Sequence, residues 1–192
     1  MDKELLIRME NYARKMLDFS ENFIHLAKTE GPEEALFYDV DLVNIVCNAM
    51  DQVWTQATEK NITLTQRFEI AEAWLKGDGQ LLERAIINLL TNAIKYSPKF
   101  SEITLQVGKT ETEYFCCVLD NGFGISEEYL PNIFDRFSRD NTSNTGNIHG
   151  FGLGLAFVKA VAQRHHGQIE VASKVGMGSS FCLRLPFSHS DD

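Results

Sequence analysis

NLLTNAIKYSP, residues 88–98, closes an amphipathic run that opens at Asp78 and stops at a proline. Its polar positions are of an unusual kind. Asn88 and Asn92 are four apart and so share a helix face, with Lys95 and Tyr96 about one turn further on. A side-chain amide oxygen suits a hard cation such as magnesium, which keeps several waters and takes its remaining ligands from phosphates. A lysine beside it answers phosphate charge. The same residues also fit a solvated helix end in which Asn92 bonds locally, so the stretch alone does not decide between the two.

Three further patterns follow in order. DNGFGI, residues 120–125, puts Asp120 at the end of an alternating segment and before Gly122 and Gly124, which can take positive φ and let a ligand approach the backbone. A carboxylate there can accept from an exocyclic amine, which separates adenine from guanine; Asp-Asn-Gly is equally a common turn signature. IFDRFSR, residues 133–139, carries Phe134 and Phe137, read as packing residues, together with Arg136 and Arg139. Arg139 borders a polar segment and is better placed for a charge-assisted phosphate contact. HGFGLGLAFVK, residues 149–159, sets Gly150, Gly152 and Gly154 between that Ser/Thr/Asn/Gly-rich segment and a helix expected over residues 152–166. Uncovered N–H groups at a helix start are suited to phosphate. The spacing is not GxGxxG and the motif follows a loop, which excludes a dinucleotide-binding crossover.

Periodicity places these motifs on elements. Asp41 is a good N-cap for an amphipathic helix to about residue 60, and Asp78 caps the helix that ends at Pro98. Alternation predicts strands over residues 37–40, 62–68, 103–107, 114–119, 168–173 and 179–185. Ser126, with Glu127 and Glu128 in the first turn, is expected to open a short helix. Upstream, Leu5, Met9, Tyr12, Met16, Phe19, Phe23 and Leu26 recur in steps of four and three, a heptad seam. Leu6, Ala13, Leu17, Ile24 and Ala27 widen it to the face of a helix in a bundle, ending near Gly31 and Pro32.

Composition narrows the classes. The 192 residues are 44% hydrophobic, with 27 acidic against 18 basic side chains and a formal charge of -9. Without a polybasic run, capture of nucleic acid or of an anionic membrane is not expected. No apolar run is long enough to span a bilayer and no signal-peptide core is visible. Cys47, Cys116, Cys117 and Cys182 have neither metal nor redox spacing and are expected to pack in a reducing cytoplasm.

Taken together, the four patterns closely resemble the N, G1, F and G2 boxes of the catalytic and ATP-binding domain of bacterial sensor histidine kinases, over about residues 37–187. The resemblance implies an α+β fold: a two-layer α/β sandwich in which helices cover one face of a mixed sheet, preceded by a long helix. It implies ATP and Mg2+ as cofactors, with Asn92 as metal ligand, Asn88 nearby, and Lys95 and Arg139 on the phosphates. Tyr96 would pack near the base and Asp120 would bind the adenine amine. Gly122, Gly124 and Ile125 would line the base loop, while Gly150, Gly152, Leu153 and Gly154 would begin the lid over the nucleotide. Ala156 departs from the serine many relatives carry there.

The same fold serves the clamp ATPases of the gyrase, Hsp90 and MutL families, which typically place a glutamate four residues before the magnesium asparagine to activate water. Here that position is Asn88, which cannot act as a base. The phosphoacceptor histidine of the kinases, followed by an acid and soon a proline, is not found: His25 precedes Leu26, Ala27 and Lys28, and His149, His165, His166 and His189 fall in the lid margin, the last helix and the tail. The expected organisation is therefore the second helix of the dimerisation hairpin (residues 1–31), a catalytic domain (32–187) and a polar tail (188–192). It would be part of a longer kinase, unable to autophosphorylate alone. Expected partners are ATP or ADP, the parent's phosphoacceptor helix, a response regulator and a second copy through the N-terminal helix. The expected compartment is the cytoplasm, with inner-membrane anchoring of the parent left open. An ATP-dependent interaction module without phosphotransfer and a clamp-type ATPase remain the alternatives.

Overall fold

A computed structural model describes residues 37–138 and 152–187, together with Met9, Ser20 and Ile24 singly. These three are helical and exposed, so two apolar positions of the N-terminal stripe, Met9 and Ile24, stand uncovered in the single chain. The rest of the heptad seam, His25, Arg139, His149, Gly150 and the tail lie outside the described residues.

The chain runs β1 (Tyr38–Asp41), α1 (Leu42–Glu59), β2 (Thr63–Phe68), β3 (Trp74–Gly77), α2 (Gly79–Tyr96), β4 (Glu102–Lys109) and β5 (Glu113–Asp120). After a 3-10 turn at Leu130–Asn132 come α3 (Gly154–Arg164), β6 (Gln168–Lys174) and β7 (Gly178–Pro186). Five strands form one sheet in the order β2-β4-β5-β7-β6, and β1 pairs with β3 in a separate antiparallel ribbon. Only the β2/β4 pair of the large sheet is parallel; it requires a crossover, which β3 and α2 supply.

Alternation decides which face is covered. Ile103, Leu105 and Val107 of β4, Cys116 and Val118 of β5, and Phe181, Leu183 and Leu185 of β7 are buried toward the helices. Against them lie Leu42, Val46 and Val53 of α1, Leu82, Ile86, Leu89 and Leu90 of α2, and Phe157, Val158 and Val161 of α3. The expected mixed sheet with helices on one face is what forms. Truncating a fully buried leucine such as Leu90 would cost about 2–5 kcal/mol.

Caps fix where the helices begin. Asp41 Oδ1 accepts from Val43 N at 3.1 Å and from Ala73 N at 2.8 Å, so one carboxylate starts α1 and pins the segment leading into β3. Asp78 Oδ1 accepts from Gln80 N and Leu81 N, and α2 stops at Ser97, whose extended backbone suits the residue before Pro98. The helix expected from Ser126 is absent: one turn closes through Tyr129 N and Leu130 N onto Ser126 O, and Pro131 then removes the amide needed to continue it. No helix of the described residues is long and apolar enough to cross a membrane.

The cysteine expectation needs correction. Cys116 packs in the core, but Cys117 and Cys182 are joined by a disulfide. They are 65 residues apart in sequence, and only the register of β5 with β7 makes them neighbours.

His165 ends α3 and joins three elements. Its Nδ1–H donates to Val161 O at 2.8 Å, and its Nε2 accepts from Asp78 N at 3.0 Å, which selects the neutral ring. Phe37 stacks on the ring at 4.7 Å. Burial lowers the His165 pKa, outweighing its Val161 bond and Asp78, which raise it, while Arg164 and His166 reinforce the lowering. A folded value below the unfolded one, about 6.5, means the unfolded chain takes up the proton first. Stability should therefore be full above that pH and fall as pH drops through it, until the folded ring protonates. Urea unfolding at pH 7.5 and 5.5 should show a larger acid loss for the native protein than for His165→Gln; equal losses would contradict this role.

Candidate functional site: a base pocket joined to a helix N-terminus

Asp120 lies at the last position of β5, 9% exposed. Burying a carboxylate is costly unless donors compensate it. Gly122 N at 2.8 Å and Ser179 N at 3.2 Å both donate to Oδ1, and no donor among the described residues reaches Oδ2. Burial raises the Asp120 pKa and the two backbone bonds oppose the shift. The second oxygen is left to accept from a ligand.

The loop after Asp120 is zipped to the β6–β7 hairpin. Ile125 N donates to Ser173 Oγ at 2.9 Å, Gly176 N to Phe123 O at 2.7 Å, and the hydroxyls of Ser173 and Ser179 are 2.8 Å apart. Gly124, at φ +69, lies so close to Lys174 that a Cβ would stand 2.0 Å from its carbonyl oxygen. The approach of Gly178 is tighter still: at φ +87, its Cβ would fall 1.9 Å from Asp120 O. Gly122, by contrast, packs on the end of α2, where Phe123 N donates to Tyr96 O at 3.1 Å. Beside that junction the Ser97 hydroxyl is fully buried and has no partner among the described residues.

α2 carries Asn88 and Asn92, both half-buried, and ends with Lys95 and Tyr96, both exposed. Asn88 Nδ2 donates to Arg84 O at 2.9 Å, and its Oδ1 stands 2.8 Å from where a Cβ on Gly154 would be. A side chain at 154 would make the Asn88 amide move aside. Lys60 Nζ donates to Ile94 O at 2.7 Å and Lys95 O at 2.9 Å, closing the C-terminal turn of α2. α3 begins beside Asn88 with Leu153 at its N-cap, buried and making no side-chain cap bond, so no side chain among the described residues caps the first amides of α3.

Of the F-box residues, Phe134 packs edge-on against Phe181 at 6.5 Å, as expected. Phe137 does not pack: it is 61% exposed at φ 64, and its N–H donates to Gly152 O at 2.9 Å. Gly152, at φ +68, would put a Cβ 2.5 Å from Ser138 O. Segments 130–138 and 152–164 are thus tied together next to the uncapped helix.

Among the predicted site residues, the structure brings Asp120, Gly122, Gly124 and Ile125 to one loop with the end of α2, and Asn88 to Gly154, Leu153 and Gly152. Sequence reading missed Ser173, Ser179 and Gly178. A Gly-Ser-Ser run opening a strand was the available signal, but it does not reveal its contact with Asp120. The donors fit an adenine nucleotide: an unfilled acceptor oxygen, a cradle of glycines, an orphaned hydroxyl and an open helix start. No cluster of His, Cys, Asp or Glu among the described residues could hold a metal by itself.

This architecture and pocket define an ATP-binding α/β sandwich. Residues 77–189 match the family described as histidine kinase-, DNA gyrase B- and HSP90-like ATPase, and the chain belongs to that family. It is 34% identical over 191 residues to the sensor-like histidine kinase SenX3 of Mycolicibacterium smegmatis, covering 96% of this chain and 50% of that protein. Against the sensor protein KdpD of Clostridium acetobutylicum it is 33% identical over 172 residues, 86% of this chain and 18% of that protein. The chain thus spans half or less of the length of these curated relatives. The mycobacterial sensor histidine kinase MprB is structurally similar, with a TM-score of 0.69 at 25% identity over 79% of this chain and 97% of that one. Full-length ShkA in complex with AMPPNP shares the fold, with a TM-score of 0.82 at 20% identity over 98% of this chain and 39% of that one.

The closeness of Gly178 to Asp120 yields a direct check. Gly178→Ala should lower stability in urea by at least about 2 kcal/mol, from left-handed strain and overlap together. A loss within about 0.5 kcal/mol, the range of neutral surface changes, would contradict the close approach.

Proposed function

We propose that this chain is the nucleotide-binding, phosphoryl-donating half of a two-component sensor histidine kinase: Mg-ATP gives its γ-phosphoryl to a histidine on another helix, from which a response regulator receives it. The observation that carries the reading is the unfilled Asp120 oxygen in the same site as the uncapped start of α3, in a chain similar to proteins named sensor histidine kinases over most of its length.

In this reading Asp120 Oδ2 accepts from the adenine amine, while the Gly122 and Ser179 amides hold the carboxylate still. Tyr96, exposed at the end of α2, lies along the base. Asn92 is the protein's ligand to magnesium, which would supply charge neutralisation between the phosphates. Lys95 and Arg139 would answer the phosphate charge, and the α3 amides after Gly152, Leu153 and Gly154 would receive phosphate oxygens, with Gly150 preceding them in sequence. Phosphoryl transfer asks mostly for positioning and charge stabilisation, and these groups supply both.

Asn88 argues for transfer over hydrolysis. Its side chain is an amide whose nitrogen donates to Arg84 O, and it offers no carboxylate to activate water. A second copy would pair through the N-terminal stripe, where Met9 and Ile24 stand exposed.

With labelled ATP, magnesium and a separately supplied phosphoacceptor helix, transfer to the helix histidine is expected. Asn92→Ala and Asp120→Ala should each reduce it by at least about 100-fold, the size of losing a charge-stabilising or binding group in such a site. Nucleotide binding without transfer would favour an interaction module. Steady phosphate release without any acceptor would favour a clamp-type ATPase.

A further inference from the structure

Cys116 and Cys117 are adjacent on β5 and point to opposite faces of the sheet. Cys116 is wholly buried against the helix layer, and burial pushes its thiol up to about 12, which makes it unreactive. Cys47 on α1 is shifted in the same direction, by burial first and then by Asp51 and Asp41. Cys117 faces the other way, toward the side of the sheet that none of α1, α2 and α3 covers. There the strand register sets it opposite Cys182 of β7, with their Cα atoms 4.0 Å apart and the sulfurs bonded. Cys182 is only half-buried, so a small thiol or disulfide can reach the pair from solvent.

The position of the pair gives it a consequence for the site. Three rungs further along the same two strands, Asp120 is the register partner of Ser179, whose amide anchors the Asp120 carboxylate. Gly178 lies so close to the Asp120 carbonyl that no Cβ fits between the two strands there. A bond closing a loop of this length removes conformational freedom from states in which the strands separate. On the same face Arg184 of β7 bonds Glu113 of β5 and Glu170 of β6 at 2.9 and 2.8 Å, so the outer surface already carries one cross-strand tie.

We propose that Cys117 and Cys182 form a reversible dithiol–disulfide site, oxidised by disulfides of the glutathione class and reduced by the corresponding thiols. In its oxidised form, the bond holds β5 and β7 in the register that presents Asp120 to the nucleotide. The coupling rests on the reading of Asp120 as the base-binding residue; the dithiol chemistry does not. Oxidation proceeds by two exchanges. The Cys182 thiolate attacks one sulfur of RSSR and expels RS⁻, forming a mixed disulfide. The Cys117 thiolate then attacks the Cys182 sulfur and expels the second RS⁻. Two protein thiols lose two electrons and two protons, and RSSR takes them up as two RSH. In a thiol-rich compartment such a bond is transient, which is what a redox-responsive site requires.

The native full chain, equilibrated in a series of reduced and oxidised glutathione mixtures, tests this without any substitution. After acid quenching, unfolding and alkylation with N-ethylmaleimide, peptide mass spectrometry should show all four cysteines alkylated at the reducing end. Only Cys47 and Cys116 should be alkylated at the oxidising end. Calorimetric titration with ADP in each state should give severalfold tighter binding to the oxidised form, and Cys182→Ser should keep the weaker affinity in every mixture. Four alkylated cysteines across the series would overturn the site. Equal ADP affinity in both states, with the pair oxidising as described, would overturn the coupling. Absence of ADP binding in every state, with the pair still oxidising, would instead remove the nucleotide reading and the coupling built on it, and would support the dithiol site alone.

Discussion

A buried carboxylate with one oxygen satisfied and one left open is the constraint on which the pocket depends. Asp120 can stay at the end of β5 because Gly122 N and Ser179 N both donate to the same oxygen. An ionised group so placed would be intolerable without them. Two strands must therefore end in register, the following loop must turn back at once, and the hairpin opposite must come within contact of the main chain. The left-handed glycines at 124 and 178 and the hydroxyl pair of Ser173 and Ser179 meet those demands.

The proposed phosphate end of the site depends on how two helices pack. At one end α2 offers Asn88 to Gly154 at the start of α3; at the other, His165 ends α3 and accepts from the N–H of Asp78, the cap of α2. The start of α3 thus packs on the middle of α2 while its end is bonded to the α2 cap, and Phe37 stacks on the same histidine. Lys60 closes the far end of α2 from α1. The asparagine face and the uncapped amides of α3 are thus held by a framework that lies outside the pocket itself.

Much of this was legible in the sequence because it rests on local chemistry. Asp41 and Asp78 begin helices where their side chains can reach free amides, Pro98 stops one, and alternation marked the strands that bury one face. The four motifs pointed to one candidate site because each needs a particular residue type at a particular place. What stayed hidden depends on register. β3 is four residues long and pairs with β1; its burial alternates, but an exposed Trp74 and a buried Gly77 conceal that in the residue types. Ser173, Ser179, Cys117 and Cys182 acquire their partners only through strand pairing. The turn at Ser126 looked helical from its acids, but Pro131 limits it, and Phe137 looked like a core residue until the bond to Gly152 held it outward.

The central claim is that the free oxygen of Asp120 reads an exocyclic amine, and the most direct measurement is a calorimetric comparison of ADP with inosine diphosphate in magnesium. The two ligands carry identical phosphates and sugars; at position 6 adenine has a donor and hypoxanthine an acceptor, and at N1 the roles are reversed. ADP should bind at least about fivefold more tightly, the effect of leaving a buried acceptor facing another acceptor, about 1–3 kcal/mol. Equal affinity for the two nucleotides would contradict the assignment of Asp120 and the pocket built around it.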